Sequence, residues 1–183
     1  MAIGLAVLIL IVLGALYLIY GRGGTTANQN QPTISEKGNQ PSTKDTLPPG
    51  FSTVKIFLVS LNDNGQTGKK IGCGDSVMGV EKVIGPTPDK ITAALNELFA
   101  IKDQNYGEYY NALYQSNLKV ESATVKNGKA TVKLSGKYLL GGTCDDPRFQ
   151  SQIEETVLQF PEATDVEVFI NGKSLEKIVS GKG

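Results

Sequence analysis

The sequence has no histidine and no tryptophan. Without histidine the chain lacks the commonest general base, the commonest metal ligand and the usual partner of a Ser or Cys nucleophile. Catalysis would have to rest on carboxylates or lysine. Without tryptophan the case for a carbohydrate-stacking platform is weak. Arginine is scarce, with only Arg22 and Arg148, and 18 basic residues balance 18 acidic ones to a formal charge of zero. Nucleic-acid binders carry a basic excess or stripe, and planar phosphate recognition favours arginine. No nucleic-acid partner is expected, and no cofactor, metal or catalytic residue.

What is present begins with a long apolar run. Ala2 to Tyr20, AIGLAVLILIVLGALYLIY, contains no charge. As a helix it would reach about 28 Å, close to the hydrocarbon thickness of a bilayer. Tyr17 and Tyr20 lie at one end, where an amphipathic ring suits the interface. A buried core helix is the competing reading, but polar, Gly-rich sequence follows at once. Residues 1–21 are therefore expected to be a transmembrane anchor whose partner is the lipid bilayer. A basic n-region and a small-residue cleavage site are lacking, which favours an uncleaved anchor. Arg22 on the C-terminal flank argues weakly for a cytoplasmic domain. The cysteines argue the other way.

Residues 22–52 have few apolar side chains, four prolines and much Gly, Ser, Thr, Asn and Gln. Such a segment cannot offset its ordering entropy by burial and reads as a disordered tether with a mean reach of about 30 Å. The remainder, residues 53–180, has the usual size of one domain.

Within it, Thr53 to Val59 reads as a buried strand and Val77 to Ile84 as a second, weakened by Gly79. Thr87-Pro88-Asp89 opens a helix, with Thr87 as N-cap. Ile91, Ala94, Leu95, Leu98 and Phe99 form its apolar stripe. Leu118–Val125 and Lys129–Leu134 flank Asn127-Gly128, a strong hairpin signal. Asp146-Pro147 opens a second helix, with Phe149, Ile153, Val157 and Phe160 on its inner face and Pro161 past its end. Val166, Val168 and Ile170 then alternate along a last strand that ends at Asn171-Gly172. The order β-β-α-β-β-α-β predicts an α+β fold: one mixed sheet of about five strands with both helices on one face.

Cys73 and Cys144 each lie in a glycine-rich loop. An even pair behind a membrane anchor predicts a disulfide in an oxidising compartment, hence an extracytoplasmic domain. Three alternatives compete: two free buried thiols; a zinc site, which would have to recruit Asp75, Asp145 or Asp146; and a catalytic cysteine, Cys144, which has no histidine to activate it.

Tyr106, Tyr109, Tyr110 and Tyr114 cluster in QNYGEYYNALYQSN. They read as a contact surface, because each ring buries area at low entropic cost, or as the cover of one end of the core. Asp146 is expected to cap its helix, with Asp75 and Asp145 solvated. Lys69-Lys70 is expected to be a solvated loop.

From Val54 to about Ile178 the chain resembles the GerMN domain, a sporulation and spore germination module. The likeness is carried by VKIFLV, SVMGVEKVI and TPDKITAALNELF, then by LKVESATVKNGKATVKLS and Gly141-Gly142-Thr143-Cys144. QIEETVLQFPEATDVEVFINGKSL is its most specific stretch. The resemblance implies an α/β module on the outer side of bacterial membranes, similar in architecture to ring-building assembly motifs of spore envelopes. Related domains also occur in bacteria that form no spores. It carries over no catalytic residue, and this chain lacks the lipid-accepting cysteine of lipoprotein members. The function expected is a non-enzymatic binding or assembly module that contacts a protein or the cell wall, compatible with a homo-oligomer. The alternative is a small glycan hydrolase working through two carboxylates about 5 to 9.5 Å apart across one cleft.

Overall fold

A computed structural model describes residues 47–181. The anchor expected at 1–21 and nearly all of the tether lie outside the described residues. Among those described, no helix is long and apolar enough to cross a membrane.

The elements run β1 (Ser52–Ser60), β2 (Lys69–Lys70), β3 (Ser76–Ile84), α1 (Lys90–Ala100), β4 (Asn105–Tyr106) and β5 (Tyr109–Tyr110). They continue with β6 (Asn117–Lys126), β7 (Lys129–Lys137), α2 (Asp145–Leu158), β8 (Asp165–Ile170), β9 (Lys173–Ser174) and α3 (Leu175–Val179). A 3-10 turn at Gly72–Gly74 precedes β3. The class is α+β, as expected, but the single mixed sheet is not found. The strands form two sheets, ordered β2-β3-β1-β5-β4 and β6-β7-β8-β9. Among the described strands only β7 and β8 are parallel, joined through α2; the other pairs are antiparallel. Strand patterns on the two sides of α1 read alike, so sequence periodicity could not tell one sheet from two.

The two helices join the sheets. α1 packs on β1 and β6, and α2 packs on β1 and β8. Val54, Ile56 and Leu58 of β1 meet the stripe Ile91, Ala94, Leu95, Leu98 and Phe99 of α1 in one continuous core. Val132 and Leu134 of β7, Phe149, Ile153 and Val157 of α2, and Ile170 of β8 complete it. Burying each such aliphatic side chain contributes roughly 1.5–3 kcal/mol. The whole core lies within the compact unit Asp45–Gly183.

Helix α1 starts two residues later than expected. Its N-cap is Asp89, whose side chain accepts from Thr92 N at 2.9 Å, while Thr87 Oγ1 accepts from Asp89 N at 3.1 Å. The carboxylate reaches the orphan N–H better because Pro88 fixes the preceding turn. The Asn127-Gly128 hairpin forms as predicted, with φ of 51° and 81°. Gly79 keeps its place within β3 for lack of a side chain. A Cβ there would lie 2.8 Å from Lys55 Cδ and 3.3 Å from Phe57 Cζ, which cross the strand above it.

One arrangement was not legible in the sequence. β1 pairs with β3 along its whole length but meets β5 only at Val59↔Tyr110. Polar side chains from the α2 region satisfy two further residues of that edge, Lys55 and Phe57. Gln159 accepts from Lys55 N at 2.6 Å and donates to Lys55 O at 2.5 Å. Thr156 Oγ1 accepts from Phe57 N at 3.1 Å, and Gln152 Nε2 donates to Phe57 O at 3.0 Å. A row at i, i+4 and i+7 thus stands in for a strand and closes an edge that would otherwise be open to pairing. This is why Gln152 and Thr156 are completely buried on a helix face adjoining the apolar stripe.

Candidate functional site

The glycine-rich loops around the cysteines meet at the N-terminus of α2. Cys73 and Cys144 lie with Sγ atoms 2.00 Å apart and Cα atoms 5.7 Å apart, the geometry of a disulfide. Cys73 sits at φ 61° in the 3-10 turn, and Cys144 occupies the N-cap of α2. Gly72 lets the two loops approach: a Cβ there would stand 2.8 Å from Pro147 Cγ. The bridge spans 71 residues, and closing such a loop is worth up to about 4 kcal/mol in the chain-entropy picture.

Beside the disulfide stands a charge cluster. Asp75 is wholly buried, contrary to the expectation that it is solvated. Its Oδ1 accepts from Asn62 N at 2.8 Å and its Oδ2 from Arg148 Nε at 2.7 Å. Arg148 Nη1 also donates to Asp145 Oδ1 at 3.1 Å, and Asp145 accepts from Tyr110 OH at 3.0–3.1 Å. The guanidinium lies 5.3 Å from the centre of the Tyr110 ring. Burial first, then the hydrogen bond to Asp145 and its charge, pushes the Tyr110 hydroxyl up to about 12.

Asp145 is buried as well, its carboxylate held by Arg148 and Tyr110. Asp146 does not cap α2. The helix begins at Asp145 and has no side-chain cap; both acids stand in its first turn, where negative charge complements the dipole. An isolated buried carboxylate is costly, and the arginine decides the matter by bringing the counter-charge inside. Sequence reading missed Arg148. The available signal was its position three residues after Asp145, a spacing that puts the two side chains on one helix face.

An open hollow of about 490 Å³ lies over this cluster, lined by Gln104, Tyr110, the Gly141–Cys144 loop, Asp145 and Arg148. The carboxylates do not face each other across it. Asp75 has both oxygens occupied and no exposure, so the two-carboxylate geometry of a glycan hydrolase is not met here. Among the described residues no group of His, Cys, Asp and Glu is arranged to hold a metal ion. The zinc alternative is further displaced by the pairing of the two cysteines.

The tyrosines divide. Tyr106, Tyr109 and Tyr110 belong to a short hairpin turned at Gly107, φ 63°, and all three pack partly buried against the core. Tyr106 receives a hydrogen bond from Lys82 Nζ at 3.0 Å. Tyr110 serves the charge cluster. Their packing fits the core-covering reading, and each ring also keeps part of its surface exposed. Behind the hairpin, Asn111 and Gln152 form a buried amide hub. Asn111 Nδ2 donates to Ile101 O at 3.1 Å, and Gln152 Oε1 accepts from Ala112 N at 2.7 Å. Lys69-Lys70 is not a loop but edge strand β2, and Lys69 pairs with Glu155 of α2.

A disulfide-stapled end, a helix standing in for an edge strand and two bridged sheets define a small α+β scaffold. The chain belongs to the sporulation and spore germination family, whose model matches residues 57–176. Two solved structures from Bacillus subtilis share the fold. One is the first GerMN domain of the sporulation protein GerM, with TM-score 0.50 and 14% identity over 68% of this chain and 86% of that one. The other is the tandem GerMN domains of the same protein, with TM-score 0.50 and 19% identity over 77% of this chain and 44% of that one. Comparison with curated protein sequences gives no match.

Proposed function

We propose that this protein is a non-enzymatic binding or assembly module of the bacterial envelope. In this reading, residues 2–20 hold it in the membrane and its folded domain lies outside the cytoplasm. The observation that carries the reading is internal to the charge cluster. The groups best suited to acid–base work, Asp75 and Asp145, are consumed by Arg148, Asn62 and Tyr110 and serve stability. Family membership supports an envelope role, and the cysteine pairing supports an oxidising compartment.

The test is made on the full chain in its native membrane. The protein should sediment with the membrane fraction, resist thiol labelling until reduced, and be cleaved by protease added from the outer face. Crosslinking in intact envelope should then trap a protein or cell-wall partner. Recovery of the chain in the soluble cytosolic fraction with two reactive thiols would overturn the placement and the role with it.

A further inference from the structure

Among the described residues, the outer face of the second sheet is a broad surface on which no helix packs. Leu118, Ala130, Val132, Leu134, Val168 and Ile170 point into the core, so their neighbours along each strand point outward. On β6 and β7 those outward positions hold Lys119, Lys126, Lys129, Lys133 and Lys137. Lys129 pairs with Glu167 at 2.9 Å; among the described residues the other four have no carboxylate within ion-pairing distance. Hydroxyls fill the positions between them. Lys119 lies opposite Ser135, Ser122 opposite Lys133, and Thr124 opposite Thr131. Outward residues repeat about every 6.8 Å along a strand and about 5 Å across it. The result is a lattice of ammonium and hydroxyl groups in which the lysines outnumber the acids of the same face, Asp165 opposite Lys129 and Glu167 opposite Thr131.

One aromatic ring interrupts that lattice. Phe169 stands opposite Lys133 on one side and Ser174 on the other, half-buried and outside the hydrophobic core. Around it lies a hollow of about 400 Å³ bordered by Glu121, Lys133 and Gly172. The hollow owes its shape to the bulge between Val120 and Ser122, which adds Glu121 to the strand, and to the Asn171-Gly172 turn.

We propose that this face binds an anionic glycan: a sugar polymer bearing carboxylates. The lysines supply charge for the carboxylates, the Ser and Thr hydroxyls meet sugar hydroxyls, and the Phe169 ring takes the apolar face of one sugar seated in the hollow. A bare membrane or an acidic peptide would use the charge but has no sugar face for the ring. The sequence, with no tryptophan, gives little sign of a stacking site; the register of β7 on β8 creates it. The proposal depends on the envelope reading above only for where such a polymer is met.

The unit Asp45–Gly183, which contains the whole core, is titrated with alginate, with uncharged dextran and with poly-glutamate. Alginate should bind, more tightly than poly-glutamate, and dextran should not. Lys133→Glu should weaken alginate binding roughly fivefold. Phe169→Ala should weaken it by a similar factor and leave poly-glutamate binding unchanged. Lys90→Glu, on α1 across the core, serves as the control, and unchanged unfolding midpoints show that the variants fold. Equal affinity for poly-glutamate, preference for phosphatidylglycerol vesicles, an equal loss in Lys90→Glu, or no alginate binding would each overturn the proposal. The measurement uses the isolated unit, so its failure leaves the membrane-fractionation result standing, and the converse also holds.

Discussion

The disulfide end and the outer face of the second sheet treat charge in opposite ways. At the disulfide end Asp75 and Asp145 are buried, paired with the part-buried Arg148 and hydrogen-bonded to neutral groups as well. On the sheet face Lys119, Lys126, Lys133 and Lys137 stand in water with no partner among the described residues. Charge removed from water has to be matched within the fold and so holds the structure together. Charge left in water contributes little to stability and stays available to a ligand. In this domain the cluster that looks reactive on paper is structural, and the scattered lysines are the free chemistry.

That contrast can be broken most sharply at Arg148. Arg148→Ala leaves Asp75 buried without a counter-charge, and urea unfolding should show a loss of about 3–5 kcal/mol. A loss below about 1 kcal/mol would mean that water reaches Asp75 and that the two regions differ less than described. Next in size is the covalent staple. Replacing Cys73 and Cys144 together by serine should cost about 2–4 kcal/mol, read as a lower unfolding midpoint that reduction of the wild type reproduces.

Tyr110 tests the same end by pH. Its hydroxyl is held up to about 12 in the fold against an ordinary value of 10.0. Between those values the unfolded tyrosine has lost its proton and the folded one has kept it. The folded state then binds more protons, so stability falls as pH rises from about 10 through about 12. Tyr110→Phe should flatten that slope, and an unchanged slope would place its origin elsewhere. The smallest effect is expected on the sheet face. Lys119→Glu with Lys137→Glu should shift stability by no more than about 0.5 kcal/mol. A larger loss would show that these lysines, too, are part of the fold.

The glutamine and threonine row of α2 explains why part of the architecture was hidden. Gln152, Thr156 and Gln159 adjoin an apolar stripe, and in a sequence they read as the polar flank of an amphipathic helix. Their partners, the backbone of Lys55 and Phe57, lie about a hundred residues away, and backbone groups leave no trace in side-chain pattern. The short elements β2, β4, β5, β9 and α3 were hidden for a related reason, since two to five residues carry too little periodicity to register. The tyrosine cluster was visible as composition, but which ring would face Asp145 was not.

The sequence alone determined the elements whose cause is local. These are the two amphipathic helices, from the 3.6-residue spacing of their apolar side chains; the Asn127-Gly128 hairpin, from the positive φ its turn demands; and the family, from a pattern spread over the whole domain. Tertiary structure decided what depends on distant residues meeting. It divided the strands into two sheets, brought Cys73 to Cys144, drew Arg148 between two aspartates and set Phe169 beside Lys133. The physical reason is range. Helix and turn preferences act within a few residues along the chain, whereas pairing of charge, thiol and strand edge is fixed only when packing has set which segments share a surface.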